Sequence, residues 1–408
     1  MTMSFEPGLP RRRFSVRAFT LVELLISMTF LVILMLVVTQ VIGIVQRTWV
    51  RSNSRVSQFR EARTAFDVLT RTISQATLNT YWMNEFDEIG SDAVGQTRYK
   101  AKNYVRQSEL QFISGPTASL LTQAASGGTN YPGHAVFFQA PLGVTKLVPT
   151  DDSSTNEAST ENLVNLMCGR GYFVEWGSDA PFRPPFLESL NSVPLRFRMR
   201  LMEFSPTAEM NQIYAEANRP LVDNTKGLNN GKKWYNTEVF KSTNVISADE
   251  TVASRAFTRP VAENILALII SPQNEKPLNN AGAGGAAPYA VAPNYIWDST
   301  LLVNPGASST SSNPQGTQHL LPPQLKITMI ALDQTSGEFL AREENSEKRE
   351  AILTGLDGLF KDASKYDADL KGEGEGGSGG LEELLITSKL GYRIFSTTIA
   401  LKQSRWSL

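Results

Sequence analysis

The chain of 408 residues is long enough for two or three structural units, and its 41% hydrophobic content is enough to bury a core. Its 39 basic and 40 acidic side chains nearly balance, so net charge gives no argument for nucleic acid or an acidic membrane surface as a partner. The single cysteine, Cys168, excludes an intrachain disulfide, and the two histidines disfavour most metalloenzyme and hydrolase interpretations.

The N-terminal part is a basic segment followed by a long apolar run, the order in which targeting sequences begin. Between residues 19 and 45 the only charged side chain is Glu23. A helix of this length spans roughly 40 Å, enough to cross a hydrocarbon layer about 30 Å thick. The run is too long for an ordinary signal-peptide core, so we expect a retained membrane-spanning helix. The basic residues before it are Arg11, Arg12, Arg13 and Arg17.

Glu23 is unusual because a carboxylate in the centre of a hydrocarbon layer costs about 2.5–3.5 kcal/mol. One interpretation is a plain signal anchor, in which the carboxylate lies near the lipid headgroups and reaches water. The other is that the carboxylate serves a function at that depth. The Lys/Arg bias does not fix the orientation of the helix, because the residues after the run are also basic. These residues are Arg47, Arg51, Arg55, Arg60 and Arg63.

The stretch RAFTLVELLISMTFLVILMLVV (17–38) resembles the class III signal of type IV pilin-like proteins. That signal combines a basic leader, a small residue, Phe, a hydroxyl residue and a Glu at the fifth mature position. The resemblance implies cleavage between Ala18 and Phe19 by an aspartic prepilin peptidase, followed by N-methylation of Phe19. It also implies that Glu23 pairs with the new amine of a neighbouring subunit during assembly. The family usually has Gly where this chain has Ala18; Ala is the closest steric substitute, and we expect processing.

Apolar residues recur at helical spacing beyond the membrane run, and no proline occurs between residues 19 and 115. The pattern predicts an amphipathic helix over residues 46–82 that packs against the chain's own head. Its arginines lack interleaved exposed aromatics, so no nucleic acid is expected as a partner. The segment 45–82 is similar to the J-type minor pseudopilins of type II secretion. The apolar stripe comprises Val45, Trp49, Val56, Phe59, Ala62, Phe66, Leu69, Ile73 and Ala76.

Residues 100–408 predict a β-rich globular head with long insertions, which makes the fold class α+β with a mixed or antiparallel sheet. In RFRMRLMEF (196–204) apolar residues alternate with arginines, which predicts one apolar face and one solvated face. Residues 336–362 have helical composition. The predicted strands are Leu110–Ile113, Ala135–Gln139, Gly171–Trp176, Arg196–Phe204, Ile265–Ser271, Leu325–Leu332 and Gly391–Lys402. Gly-, Ser-, Pro- or Asn-rich loops are predicted at 150–162, 275–294, 304–318 and 371–380.

No pattern in the head indicates catalysis, a cofactor or a metal. His134 and His319 have no ligand at metal spacing and are expected at the surface or at strand edges, and Cys168 is expected to be a structural thiol. The segment AGAGGAA (281–287) lacks the strand and helix of a dinucleotide site. The segment DQTSGE (333–338) lacks the full ligand set of a Ca²⁺ loop and is expected to be a turn. An acidic cluster at 362–375 is at most a weak cation site.

The C-terminal segment LEELLITSKLGYRIFSTTIALKQSRWSL (381–408) predicts a helix or turn followed by a long strand. A strand this apolar must pair within a sheet, since it would otherwise form an exposed edge. The segment also resembles the prepilin-type family called Verru_Chthon cassette protein C, in its G-Y-R-x-F-S-T-T-x-A-L pattern together with the N-terminal signal.

Together these features predict a non-enzymatic, prepilin-type structural subunit, by its large head a minor or tip subunit. Its parts would be a cytoplasmic leader (1–18), a transmembrane assembly helix (19–45), an amphipathic helix (46–82) and an extracytoplasmic head (100–408). Its partners would be prepilin peptidase, other pilin or pseudopilin subunits and the inner membrane. The alternative is a single-pass membrane protein whose extracytoplasmic head binds a ligand and never polymerises.

Overall fold

The computed structural model describes residues 20–91, 93–121, 130–144, 165–183, 193–214, 234–241, 255–275, 290–302, 315–372 and 379–404. The chain divides into two compact units, one ending at Val56 and the other beginning at Ser57. The fold class is α+β, with a long N-terminal helix and a head of antiparallel sheets.

The helices are α1 (Leu21–Ile73), α2 (Thr117–Leu120), α3 (Asn236–Val239), α4 (Gln334–Ala341), α5 (Ser346–Gly358), α6 (Tyr366–Lys371) and α7 (Leu381–Thr387). The strands are β1 (Tyr81–Ser91), β2 (Thr97–Gln107), β3 (Ile113–Pro116), β4 (His134–Pro141), β5 (Met167–Ser178), β6 (Phe197–Phe204), β7 (Thr258–Glu263), β8 (Ile265–Gln273), β9 (Trp297–Asp298), β10 (Gln324–Leu332) and β11 (Tyr392–Ala400).

Helix α1 ends at Ile73, so the predicted amphipathic helix 46–82 is too long. The chain turns directly after Ile73, and the Thr77 N–H donates to the Gln139 carbonyl of β4 at 2.9 Å. The i to i−4 ladder stops at the Ser74 N–H, and the amides of Gln75 and Ala76 form tighter i to i−3 bonds before Thr77 bonds to the sheet. The predicted apolar stripe is confirmed from Phe59 to Ala76, whereas Val45 and Trp49 are exposed. The side chain of Val56 lies outside the described residues.

The strands β1 and β2 form an antiparallel hairpin that the sequence pattern did not predict. The head therefore includes residues well before 100, where its predicted boundary lay. Both strands are rich in charged residues, so their composition resembles that of a loop. Within the described residues, β1 and β2 pair only with one another.

The remaining strands form two antiparallel sheets. The larger has the order β7-β6-β5-β4-β3-β9, and the smaller has the order β11-β10-β8. The chain passes from one sheet to the other at Asn264, which joins β7 to β8 with φ of 58°. Asn is among the few residues that adopt this left-handed conformation readily. Six of the seven predicted strands overlap observed strands over most of their length, while Leu110–Ile113 meets β3 only at its last residue.

Two apolar cores lie on opposite faces of the smaller sheet. The inner core joins that sheet to the larger sheet and to the end of α1, where Phe66 contacts Phe395 of β11 with ring centroids 5.9 Å apart. The outer core joins it to the helices α4 to α7, through Leu340, Leu353 and Leu385 among others. The predicted helical segment 336–362 is confirmed as α4 and α5, separated by a 3₁₀ turn at Glu343–Asn345.

The prediction that the arginine face of β6 is solvated is wrong, because Arg198 and Arg200 are buried. Arg200 donates to the Gly177 carbonyl at 2.8 Å and lies 3.8 Å from a carboxylate oxygen of Glu263. Arg198 lies 3.6 Å from a carboxylate oxygen of Glu338 in α4. A guanidinium can be buried where carboxylates and carbonyls replace its water, and alternation alone cannot reveal those partners.

We expect Gly171→Ala to destabilise the head by about 1–3 kcal/mol, because the new methyl group would overlap the ring of Phe137. That ring stacks on Tyr235 at a centroid distance of 4.0 Å and contacts Phe204, so it has little freedom to move. The matched control is Gly358→Ala, where no atom lies within 4 Å of the new methyl group. Urea unfolding of the detergent-solubilised chain measures both variants. Equal midpoints for the two would contradict this packing.

Candidate functional site

The start of α1 is organised by two side chains, Thr20 and Glu23. The Glu23 carboxylate accepts hydrogen bonds from the Thr20 backbone N–H and from the Thr20 hydroxyl, both at 3.0 Å. In return the Glu23 N–H donates to the Thr20 hydroxyl oxygen at 3.3 Å. This reciprocal arrangement is a capping box, which satisfies amides that lack partners at a helix start. A carboxylate in the first turn also interacts favourably with the helix dipole.

The helix that follows presents an apolar surface that no described part of the chain covers. The span Leu21–Trp49 is long and apolar enough to cross a membrane, judged by length and composition alone, and its most apolar window is unburied. One such helix near an N-terminus is weak support for a single-pass anchor, since signal sequences share these properties. A continuous exposed apolar patch of this size is unfavourable in water.

Polar side chains within this span form hydrogen bonds to the helix itself. The hydroxyls of Ser27 and Thr29 donate to the carbonyls of Leu24 and Leu25 at 2.9 and 2.8 Å. The hydroxyl of Thr39 likewise donates to a carbonyl one turn earlier, at 2.7 Å. These donors therefore need no water, which suits a helix in hydrocarbon.

The other residues assigned to this site from the sequence lie outside the described residues. They are the proposed cleavage pair Ala18 and Phe19, with Phe19 as the methylation position, and the leader residues Arg11, Arg12, Arg13 and Arg17. The structure thus describes Glu23 and its capping partner, and the cleavage site stays a prediction.

His134 links the two sheets and the loop after α5. Its Nδ1 lies 3.1 Å from the Ile270 amide nitrogen, and its Nε2 lies 3.4 Å from the Phe360 carbonyl oxygen. The ring also contacts Tyr295, with centroids 4.8 Å apart. The neutral tautomer with its proton on Nε2 accepts from Ile270 and donates to Phe360. Burial lowers the pKa of His134 to about 4, because the charged imidazolium would lose its hydration.

Both histidines are more buried than the sequence predicted. His134 begins β4, as expected for a residue at the end of a strand, but its side chain lies in the interior. His319 is also buried, and its backbone N–H donates to the Ser299 carbonyl at 2.6 Å. Its φ of 55° places it in the left-handed region. The surface location expected for these two residues is therefore wrong.

The remaining candidates for chemistry have structural roles. Cys168 is fully buried, and its Sγ lies 3.3 Å from the Val144 amide nitrogen. Asp333 caps α4 by accepting from a backbone N–H at 2.8 Å. The expectation of a turn at 333–338 is wrong, because Gln334 begins a helix. In the acidic cluster, Asp362 and Asp369 each accept from a backbone N–H at 2.9 Å. Among the described residues, no group of three or more His, Cys, Asp or Glu side chains could hold a metal ion.

A second exposed feature, the aromatic side chains of the β1–β2 hairpin, was missed from the sequence. Trp82, Phe86, Tyr99 and Tyr104 are 61%, 55%, 64% and 67% exposed, high values for large aromatic residues in a folded head. The signal that could have located the hairpin is the alternation in TRYKAKNYVRQ (97–107), after a short segment whose Gly95 has φ of 84°.

Comparison of the chain with protein-family models, curated proteins and solved structures finds no match.

We expect the stability of the head to fall as the pH decreases from about 6.5 to about 4. In this interval the unfolded state binds a proton at His134 that the folded state excludes, so acid favours unfolding. The loss is on the order of 3 kcal/mol and levels off below pH 4.

Urea titrations of the whole chain across this pH range measure the effect. The variant His134→Gln can keep one of the two backbone hydrogen bonds and removes the titrating group, so its pH dependence in this window should be smaller. An unchanged pH dependence in this variant would show that another group is responsible.

Proposed function

We propose that this chain is the precursor of a prepilin-type structural subunit that assembles through its N-terminal helix into a pilus or a type II secretion pseudopilus. The observation that carries the proposal is the exposed apolar span Leu21–Trp49 with a single carboxylate, Glu23, in its first turn. A basic leader precedes this span in the sequence.

The physical support begins with the cost of the carboxylate. At the centre of a hydrocarbon layer this group costs about 2.5–3.5 kcal/mol, which is an upper bound for Glu23 in the first turn of the span. The two donors of Thr20 reduce that cost, and among the described residues they are its only hydrogen-bond partners and neither is a cation. A carboxylate in this environment is therefore stabilised by any partner that brings a positive charge to the same depth.

Processing of the precursor would supply such a charge. Cleavage after Ala18 would create an amine on Phe19, the residue directly before Thr20 and four residues before Glu23. In subunits that lie side by side in a membrane, the amine of one subunit would lie close in depth to the carboxylate of the next. That amine would supply the missing cation.

The capping box is compatible with this processing. Thr20 would be the second residue of the mature chain, so its backbone N–H and its hydroxyl would both remain after cleavage. The helix start would therefore keep its hydrogen bonds in both the precursor and the mature subunit. The subunit would be a substrate of prepilin peptidase, with its leader cytoplasmic, its head extracytoplasmic and no catalytic role of its own. The size of its head favours a minor or tip subunit.

A second candidate function is a single-pass anchored protein whose head binds a ligand and does not polymerise. One observation favours this second function: helix capping gives Glu23 a role that needs no neighbouring subunit. The two functions differ in whether the negative charge of Glu23 matters, since capping needs only an oxygen acceptor.

We expect the protein extracted from membranes to lack residues 1–18 and to carry one additional methyl group on Phe19. Intact-mass and N-terminal peptide mass spectrometry measure both changes. The control is the same chain expressed in cells without prepilin peptidase, which should keep Met1. An intact N-terminus in the presence of the peptidase would contradict the proposal.

We expect Glu23→Gln to reduce crosslinked oligomers roughly tenfold while leaving cleavage largely unchanged. Gln keeps an oxygen that accepts from Thr20 but removes the charge, and a lost charge-assisted hydrogen bond is worth about 1.5–3 kcal/mol. Glu23→Val should have a similar effect, because it also removes the charge. Thr20→Ala is the matched control, since it removes the hydroxyl of the capping box and keeps the carboxylate.

Crosslinking in membranes measures the assembly of these variants, and mass spectrometry measures their cleavage. If Glu23→Gln assembles like the unchanged chain, the carboxylate acts as a helix cap and the charge-pairing role is wrong.

A further inference from the structure

The β1–β2 hairpin has two chemically different edges. Strand β1 carries the acids Glu85, Asp87 and Glu88 and no base. Strand β2 carries four bases and no acid, and these are Arg98, Lys100, Lys102 and Arg106. The two strands pair only with one another within the described residues, so one edge of the ribbon is acidic and the other is basic.

The two faces of the hairpin also differ. Cross-strand partners share a face, and the pairs Trp82–Arg106, Asn84–Tyr104, Phe86–Ala101 and Glu88–Tyr99 lie on one side. This side, the aromatic face, therefore carries Trp82, Phe86, Tyr99 and Tyr104, which are divided between the two strands. The opposite side is mixed, with the pair Met83–Val105 as well as the pair Asp87–Lys100. Asp87 also forms an ion pair with Lys102, at 3.2 Å, where the register shifts.

A two-stranded ribbon is marginally stable in water, and exposed strand edges are templates for pairing with another chain. At Arg106, near the end of β2, the strand edge is already bonded to a side chain of the same chain. The Arg106 N–H donates to the Gln315 side-chain oxygen at 2.7 Å, and the Gln315 side-chain N–H donates to the Arg106 carbonyl at 3.0 Å. These are the two bonds that a third strand would make at Arg106, so that position is occupied within the chain. Pairing with another copy would therefore use the part of the β2 edge before Arg106.

We propose that the hairpin joins copies of this chain, with the acidic β1 edge of one copy pairing with the basic β2 edge of the next. Charge selects this arrangement, because pairing β1 with β1 or β2 with β2 would place like charges side by side. Copies in a common orientation would place β1 antiparallel to the neighbour's β2 and continue the antiparallel pattern. Their aromatic faces would then lie on one side of a shared sheet.

Such contacts are heterologous, so they extend into a row of copies and do not stop at a dimer. The inference rests on the proposed function in one respect: assembly through parallel N-terminal helices would give the heads their common orientation. The hairpin would then add a second contact between neighbouring subunits, made by backbone hydrogen bonds as in other strand-addition interfaces.

The test uses the full chain in membranes, with Asn84→Cys as a reporter on β1 and Ala101→Cys as a reporter on β2, in separate chains. A short bifunctional maleimide should link the two kinds of chain to each other and should not link two β1-reporter chains. The native Cys168 is fully buried, so the chain without added cysteines is the background control.

Charge reversal then separates contacts between copies from contacts within one hairpin. One variant combines Glu85→Lys, Asp87→Lys and Glu88→Lys, which makes both of its edges basic. Another combines Arg98→Glu, Lys100→Glu and Lys102→Glu, which makes most of both edges acidic. Each variant alone should lose crosslinking about tenfold, and a mixture of the two should recover it. Recovered crosslinking would have to come from contacts between copies. Within each variant hairpin both strands still carry charges of the same sign, so no attraction is restored there.

A reporter in the apolar helix, Leu34→Cys, shows whether the chains assemble at all. If helix crosslinks persist while the mixture fails to recover hairpin crosslinks, the hairpin inference is wrong and the proposed function stands. Crosslinks from the hairpin to another part of its own chain would also overturn it. If both helix and hairpin crosslinks are absent, the proposed function and the inference are both wrong.

Discussion

Strand β10 is the element on which the head depends, because its side chains alternate between the two apolar cores. Leu325, Ile327 and Met329 belong to the inner core, and Ile330 and Leu332 belong to the outer core. Each buried aliphatic side chain contributes roughly 1.5–3 kcal/mol, and a slip of one residue would exchange the two sets. The register of β8 and β11 on either side of β10 is therefore strongly specified.

The same alternation places a polar residue, Thr328, on the outer side of β10. Its hydroxyl lies 2.5 Å from the Tyr366 hydroxyl and 2.8 Å from the Ser396 hydroxyl, so it joins β10 to α6 and to β11. On the inner side, Phe395 of β11 contacts Phe66 near the end of α1. The smaller sheet thus connects the helical layer to the end of α1.

The two features proposed for assembly share a physical property, since each is an exposed surface whose charges are only partly compensated within the chain. Glu23 has hydrogen-bond donors but no cation among its described partners. In the hairpin, the acidic strand β1 and the basic strand β2 pair with each other. The outer edge of β1 remains acidic, and the outer edge of β2 remains basic. Surfaces of this kind favour partners of opposite charge and discriminate against wrong ones.

The apolar span, the lone Glu23 and the positions of most strands in the head were determined by the sequence itself, because local composition and periodicity carry those features. The motif T-x-x-E at residues 20–23 was also readable as a capping box, although its hydrogen bonds needed the structure. The cleavage site at Ala18 and Phe19 lies outside the described residues and remains a sequence prediction.

Only the tertiary structure decided the end of α1, the β1–β2 hairpin and the burial of two arginines of β6. The chain after the helix bonds to Gln139 of β4, and the arginines lie near carboxylates of β7 and α4. Local patterns cannot report such partners, because hydrogen bonds and ion pairs between distant segments exist only after the chain has folded.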